Sequence, residues 1–284
     1  MIPLLLACTT LHREVLQNGR VAQPTGPVLQ GPRLDAGQVA GTAWASRGVG
    51  GDSPWSRAEN AAGQGELLLD GGLAFRVGAG HREYGASFQA SMVSGPTSLR
   101  ATDLKEVRMH PGLPEWRDNR WLLGGTLAGR SRFGGELAQF GGDWQFGLQR
   151  ALVQQSSQTE IDLYAGGQTT LNSFDLSRVW VPQAATGTSL AITPGRWSFE
   201  LGLLGQAHPF FPGHMSQDEL CGESCDEGFR PWRLEPVFTA WHGLSWSRDE
   251  HLSAGLSAWA HLLGPEDLLA AAPVGGRATL TLRY

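Results

Sequence analysis

The chain ends in GGRATLTLRY, residues 275–284. With Val274 included, the even positions read Val274, Gly276, Ala278, Leu280, Leu282 and Tyr284, and the odd ones Gly275, Arg277, Thr279, Thr281 and Arg283. Period two, apolar on one side and polar on the other, is a strand with one face against an apolar medium. That medium is either a second protein layer or lipid.

The same alternation recurs towards the N-terminus. Trp197, Phe199, Leu201 and Leu203 oppose Arg196, Ser198, Glu200 and Gln206, and Leu234, Phe238, Ala240, Leu244 and Trp246 oppose Arg233, Glu235, Thr239 and Ser245. Leu252, Ala254, Leu256 and Ala258 oppose Ser253 and Ser257, and clear series run over 36–46, 66–79 and 84–92. Trp121 to Leu127, a short piece at 133–141, Trp144 to Leu152, Ile161 to Ala165 and a weak stretch at 184–193 supply the middle. This gives about twelve strands, each close to the roughly 9 to 11 residues that a tilted strand needs to cross a bilayer.

The connections alternate in length. Short ones are expected at 80–83, near 132, at 154–158, 193–195 and 248–250, and long ones at 47–64, 94–118, 172–186, 208–232 and 264–273, with the connection near 142 outside the rule. Short turns on one rim and long loops on the other describe an up-and-down membrane barrel. The expected fold is all-β: a closed antiparallel transmembrane β-barrel of about twelve strands, with ten as the alternative, both termini lying on the short-turn side.

Composition decides which medium the apolar face meets. Charged residues are 17%, Gly numbers 39, and Lys105 is the only lysine. A soluble sheet turns many lysines and glutamates outward, whereas this polar face is mostly Gly, Ser, Thr and Gln with a few charges of both signs. Glu66, Asp70, Arg76, Arg120, Arg130, Glu160, Asp162, Arg196, Glu200, Arg233, Glu235 and Arg277 are therefore placed in a wet lumen, paired with one another. Tyr84, Trp197, Trp246 and Tyr284 fall at one end of the strands and Trp121 and Trp144 at the other, as two interfacial belts. Arg150 lies towards a strand end, where it can snorkel, but His242 interrupts an apolar series near its middle. No run reaches the roughly 18 apolar residues of a transmembrane helix, and the net charge of -5 is unsuited to nucleic acid.

Two resemblances follow. Tyr284, Leu282, Leu280 and Ala278 resemble the C-terminal signal of bacterial outer-membrane β-barrel proteins, with Gly276 departing from it. The resemblance implies a Gram-negative outer membrane, lipid around the barrel, and an assembly machinery that reads the last strand. Leu5-Leu6-Ala7-Cys8 resembles a bacterial lipoprotein lipobox, which implies acylation at Cys8; the bland alternative is a small residue in an apolar N-terminus. Residues 1–35 are accordingly expected as signal, lipobox and periplasmic tether, and 36–284 as the barrel.

No constellation demands catalysis or a cofactor. Cys221 and Cys225 in the long loop are expected as a local disulfide, since their spacing with His208 and His214 matches no familiar zinc pattern. His251 and Ser253 share a strand face, but parity puts them in the lumen with no carboxylate partner. The glycine-bearing stretches at 48–53 and 78–85 lack the strand-to-helix setting of a phosphate loop. The expected function is a non-catalytic narrow pore for small polar solutes or a membrane anchor. The alternatives are a docking component of an envelope assembly and, last, a lipid hydrolase.

Overall fold

The computed structural model describes residues 8–20, 26–49, 69–93, 120–163, 167–211, 214–220, 232–264 and 274–284. They form twelve strands: β1 (Cys8–Arg20), β2 (Val39–Val49), β3 (Leu69–Ala79), β4 (Arg82–Val93), β5 (Arg120–Gly134), β6 (Ala138–Leu163), β7 (Gln168–Ile192), β8 (Trp197–Phe210), β9 (His214–Leu220), β10 (Arg233–Ser247), β11 (Leu252–Leu263) and β12 (Val274–Arg283).

Ten of them close a ring in the order β2–β3–β4–β5–β6–β7–β8–β10–β11–β12, every pair antiparallel. Closure is made by β12 on β2, from Val274 opposite Val49 to Arg283 opposite Ala40. Beneath it, the amide of Val39 donates to Tyr284 O at 3.0 Å and the amide of Tyr284 to Val39 O at 2.8 Å. The terminal strand of the opening reading is thus the closing strand.

The barrel holds ten strands, the alternative, rather than twelve. The expected turn at 154–158 and loop at 172–186 are both strand: β6 runs for 26 residues and β7 for 25, paired with each other from Ala138–Ile192 to Asp162–Gln168. The actual turn lies at 135–137, so the pieces at 133–141 and 144–152 belong to β5 and one continuous β6. Physically, the polar run Gln154–Thr159 is a strand that has left the apolar belt. One face is still covered there, but by polar residues, Ser156 and Gln158, so the apolar alternation stops without ending the strand.

Beyond the ring, residues 150–163 extend roughly 45 Å along the strand at about 3.4 Å per residue. β1 pairs on this part of β6, from Cys8 opposite Leu163 to Arg20 opposite Leu152, and β9 pairs on β1. The arm therefore stands on the long-loop rim as a four-stranded sheet, β7–β6–β1–β9. From there residues 26–35 descend inside the barrel to the short-turn rim, where Gly37 turns the chain at φ 86° into β2. Residues 8–20 thus lie in the arm and residues 26–35 within the barrel. Neither carries a lipid-facing period, because neither meets lipid.

Side-chain direction follows parity throughout. On β8 the rings and chains of Trp197, Phe199, Leu201 and Leu203 stand on the outside, while Ser198, Glu200 and His208 are buried inside. Phe75, Phe88, Leu127, Phe146, Leu256 and Leu280 repeat the pattern, each more than half exposed. Arg76, Arg130, Arg132 and Arg277 are each at most 4% exposed. A water-soluble fold reverses this distribution; a barrel in hydrocarbon requires it.

Leu203→Arg, in the middle of the apolar belt, is expected to destabilise the barrel by about 2 to 4 kcal/mol, and Trp197→Arg at the rim by about 0 to 1 kcal/mol. Chemical unfolding in lipid vesicles checks this, and equal effects at the two positions would contradict the belt.

Candidate functional site

The lumen is packed by two sets of residues, one predicted by parity and one missed by it. Asp70, Arg76, Arg130, Glu200 and Arg277 are buried there. Glu83, Arg132 and Asp143 join them. The missed signal is parity again: Glu83 stands opposite the outward Tyr84, and Arg132 shares a face with Arg130.

These charges form one network. Glu83 Oε2 accepts from Arg130 Nη2 at 2.7 Å and Arg76 Nη1 at 3.2 Å, and Arg132 Nη2 lies 2.9 Å from Glu200 Oε1. Asp143 Oδ2 accepts from Ser189 Oγ at 3.0 Å. A second row crosses three strand pairs, with Arg277 opposite Ser46, Ser46 opposite Asp70 and Asp70 opposite Ser91. Among the described residues of the buried interior, Asp70, Glu83, Asp143 and Glu200 stand against Arg76, Arg130, Arg132 and Arg277, four charges of each sign.

Three tryptophans are also inside. Trp44, Trp241 and Trp259 each lie opposite a glycine, namely Gly72, Gly202 and Gly275, where an added Cβ would fall under 3 Å from the indole ring. The glycines make the space that the large rings occupy. Trp241 and Trp259 pack with Leu204, and the Arg277 guanidinium lies 4.6 Å from the centre of a Trp44 ring.

Residues 26–35 fill what remains, held largely through their backbone. The carbonyl of Pro27 accepts from Arg277 Nη1 at 2.9 Å, and those of Leu29 and Gly31 accept from Arg130 at 3.4 and 3.2 Å. The amides of Val28 and Leu34 donate to Gln145 Oε1 at 3.1 Å and Glu83 Oε1 at 3.0 Å. Gln30 accepts from Ser257 Oγ at 2.9 Å, and Arg33 donates to Gly80 O at 2.9 Å. Leu29 and Leu34 are buried against the wall at Gly85 and Gly78, where an added Cβ would fall 2.8 and 3.0 Å from them.

Two cavities of about 20 Å³ flank this segment, one at Val28, Gln89 and Gln145, the other at Gln30, Glu200 and Trp241. Each holds about one water. Below them a vestibule of about 380 Å³ opens on the short-turn rim, bounded by Pro32, Arg196, Arg248 and Arg283. Its wall is fixed by Asp249, whose Oδ1 accepts from the amides of His251 and Leu252 at 2.8 Å each. Those bonds hold the Asp249 carboxyl below its ordinary value. Their support of the turn is present at neutral pH and is lost as the pH falls through that lowered value.

The other predicted lumen residues lie elsewhere. Asp162 is exposed on the arm with Glu160 beside it, Arg196 is on the short-turn rim, and Arg233 pairs with Glu235 at the long-loop end of β10, where it is largely exposed. None of these is in the lumen proper, because the strands carrying them run past the belt or end at its edge. Arg120 opens β5 and Glu66 lies outside the described residues, as do Cys221, Cys225 and the lipobox residues before Cys8. His242 keeps outward register between Leu201 and Ala258. His251 is exposed on the rim, donating through Nδ1 to Arg283 O at 3.2 Å, whereas Ser253 is buried opposite Thr281, so the two do not meet as a hydrolytic pair.

No family model matches the chain, and no curated protein does. Among solved structures it is similar to the toluene transporter TodX of Pseudomonas putida, at 10% identity and TM-score 0.34 over 97% of this chain and 88% of that one. It is similar to the outer membrane protease OmpT of Escherichia coli, at 7% identity and TM-score 0.36 over 97% and 96% of the two chains. The transport unit of the autotransporter AIDA-I of Escherichia coli gives 10% identity and TM-score 0.38 over 93% and 94%. These are bacterial outer-membrane proteins of differing activity, and the class, a closed antiparallel membrane β-barrel, rests on the ring of hydrogen bonds and the outward apolar belt of this chain itself.

Glu83→Gln is expected to cost about 3 to 5 kcal/mol, because it leaves buried Arg76 and Arg130 without their shared counter-charge. The temperature at which the folded form unfolds in SDS gels should fall accordingly; an unchanged value would mean that the arginines are hydrated.

Proposed function

We propose that the chain is a non-catalytic barrel of a Gram-negative outer membrane, with its short turns in the periplasm, acting as a narrow pore for small polar solutes that residues 26–35 hold shut. One observation carries this reading: the segment in the lumen is not part of the ring, and the wall behind it is polar and charged. Its contacts are hydrogen bonds and two leucines. A segment held in this way can shift within the lumen without opening the sheet.

The apolar face of the last strand supports recognition by a barrel-assembly machinery, since Leu280, Leu282 and Tyr284 all stand outward. In the same setting Cys8, which pairs with Leu163 at the far end of the arm, is the proposed acylation site, and Cys221 and Cys225 are the proposed disulfide. A second reading, a membrane anchor for docking other envelope proteins, is favoured by the arm of β6, β7, β1 and β9 standing clear of the ring.

Planar-bilayer recording separates the two. Wild-type protein is expected to be nearly silent. Leu34→Asp, which sets a carboxylate beside buried Glu83, should dislodge the segment from its seats on the wall and give lasting conductance. Four interior charges of each sign predict cation and anion permeabilities within a few-fold of one another. A folded Leu34→Asp barrel that stays silent would reject the pore and leave the anchor.

A further inference from the structure

The structure assigns the vestibule on the short-turn rim as a binding site for a tetrahedral oxyanion, a phosphate or a phosphate ester. The site goes beyond the pore reading and stands apart from it, because filling the vestibule requires no movement of residues 26–35.

Three arginines from neighbouring strand ends meet there. Arg196 precedes β8, Arg248 follows β10 and Arg283 ends β12, and all three line the recess of about 380 Å³ beside Pro32. That volume lies within the roughly 300 to 1,000 Å³ of small-molecule sites. Backbone bonds hold the three together. The amide of Ser247 donates to Arg196 O at 2.8 Å, that of Arg248 to Leu252 O at 2.9 Å, and that of Arg283 to His251 O at 2.8 Å. Arg283 Nη2 is fixed further by Ser247 Oγ and Asp249 O, at 3.1 Å each. Its Nε is buried without a partner, so this guanidinium keeps an unsatisfied donor.

The two carboxylates of the wall are engaged elsewhere. Asp249 Oδ1 accepts from the amides of its own turn, and Glu250 is 84% exposed with Oε1 3.6 Å from His251 Nε2. Arg196 and Arg248 are exposed, and their side chains form no hydrogen bond or ion pair among the described residues.

The donor set selects the ligand. A guanidinium presents a planar fork of N–H groups to two oxygens at once. One such fork satisfies a carboxylate, whereas a phosphate has oxygens on every side and can face several. Ser247 Oγ accepts from Arg283, which leaves its own proton for the anion. The net charge of -5 opposes non-specific capture of anions by the chain as a whole, so affinity must come from this local cluster.

Two sources present this chemistry at a membrane rim, a soluble phosphate ester and the headgroup of an anionic phospholipid, and calorimetry separates them. Folded full-length protein in maltoside micelles is expected to bind glycerol 3-phosphate, and to bind acetate or glycerol at least ten-fold more weakly. Arg248→Gln and Arg283→Gln should each weaken binding of the ester at least ten-fold. Arg82→Gln, on the same rim but outside the recess, should change it less than two-fold. Micelles doped with phosphatidylglycerol identify the source: loss of ester binding by competition assigns the site to the headgroup, and unchanged binding assigns it to the soluble ester. Wild-type protein that binds no glycerol 3-phosphate overturns the inference, as does equal weakening by Arg82→Gln or equal affinity for acetate. Heat-modifiable migration checks folding, and Arg248→Gln, whose side chain holds nothing in place, keeps the test decisive should Arg283→Gln not fold.

Discussion

A strand surrounded by hydrocarbon has no water to satisfy its amides and carbonyls, so the sheet must close on itself. Here that closure is the pairing of β12 with β2, and the remaining architecture follows from it. Once the ring is shut, every strand has one face outside and one inside, and the sequence must alternate across the belt. The outside takes Phe, Leu and Trp. The inside receives whatever the outside excludes, which in this chain means arginine, carboxylates and hydroxyls.

Burying that much charge is tolerable only if each group finds a partner. Glu83 does this most fully, since one oxygen serves Arg76 and Arg130 and the other serves the amide of Leu34. The carboxylate therefore ties the wall to the segment running through it. Arg130 does the same from the opposite sign, binding Glu83 and two carbonyls of that segment. Packing, charge pairing and filling of the lumen are one set of contacts, so dislodging the segment changes the electrostatics of the wall at the same time.

Much of this was legible in the sequence, wherever the alternation met lipid. β8, β10, β11 and β12 have their parity fixed by residues such as Leu201, Phe238, Leu256 and Leu280, and the interior positions of Asp70, Arg76, Arg130, Glu200 and Arg277 follow from it. The strand count was not legible between 131 and 195, because β6 and β7 continue past the apolar belt and lose their apolar period there without ending. The same cause misplaced Glu160 and Asp162 in the lumen. Residues 26–35 left no periodic trace, since they pair with side chains and not with a strand. Trp44, Trp241 and Trp259 went unnoticed inside because the glycines that admit them sit on neighbouring strands, far away in sequence. Only the register brings each ring over its gap.

The central claim is that the apolar faces of these strands touch lipid while the charged faces line a closed interior. Spin labels placed singly at each position from 197 to 207 of β8, in lipid vesicles, test it most directly. Accessibility to oxygen, which dissolves in the bilayer, should oscillate with period two and peak at 199, 201 and 203, and accessibility to a water-soluble nickel reagent should stay low at 200 and 202. Oxygen maxima at 200 and 202, or no oscillation at all, would contradict the account.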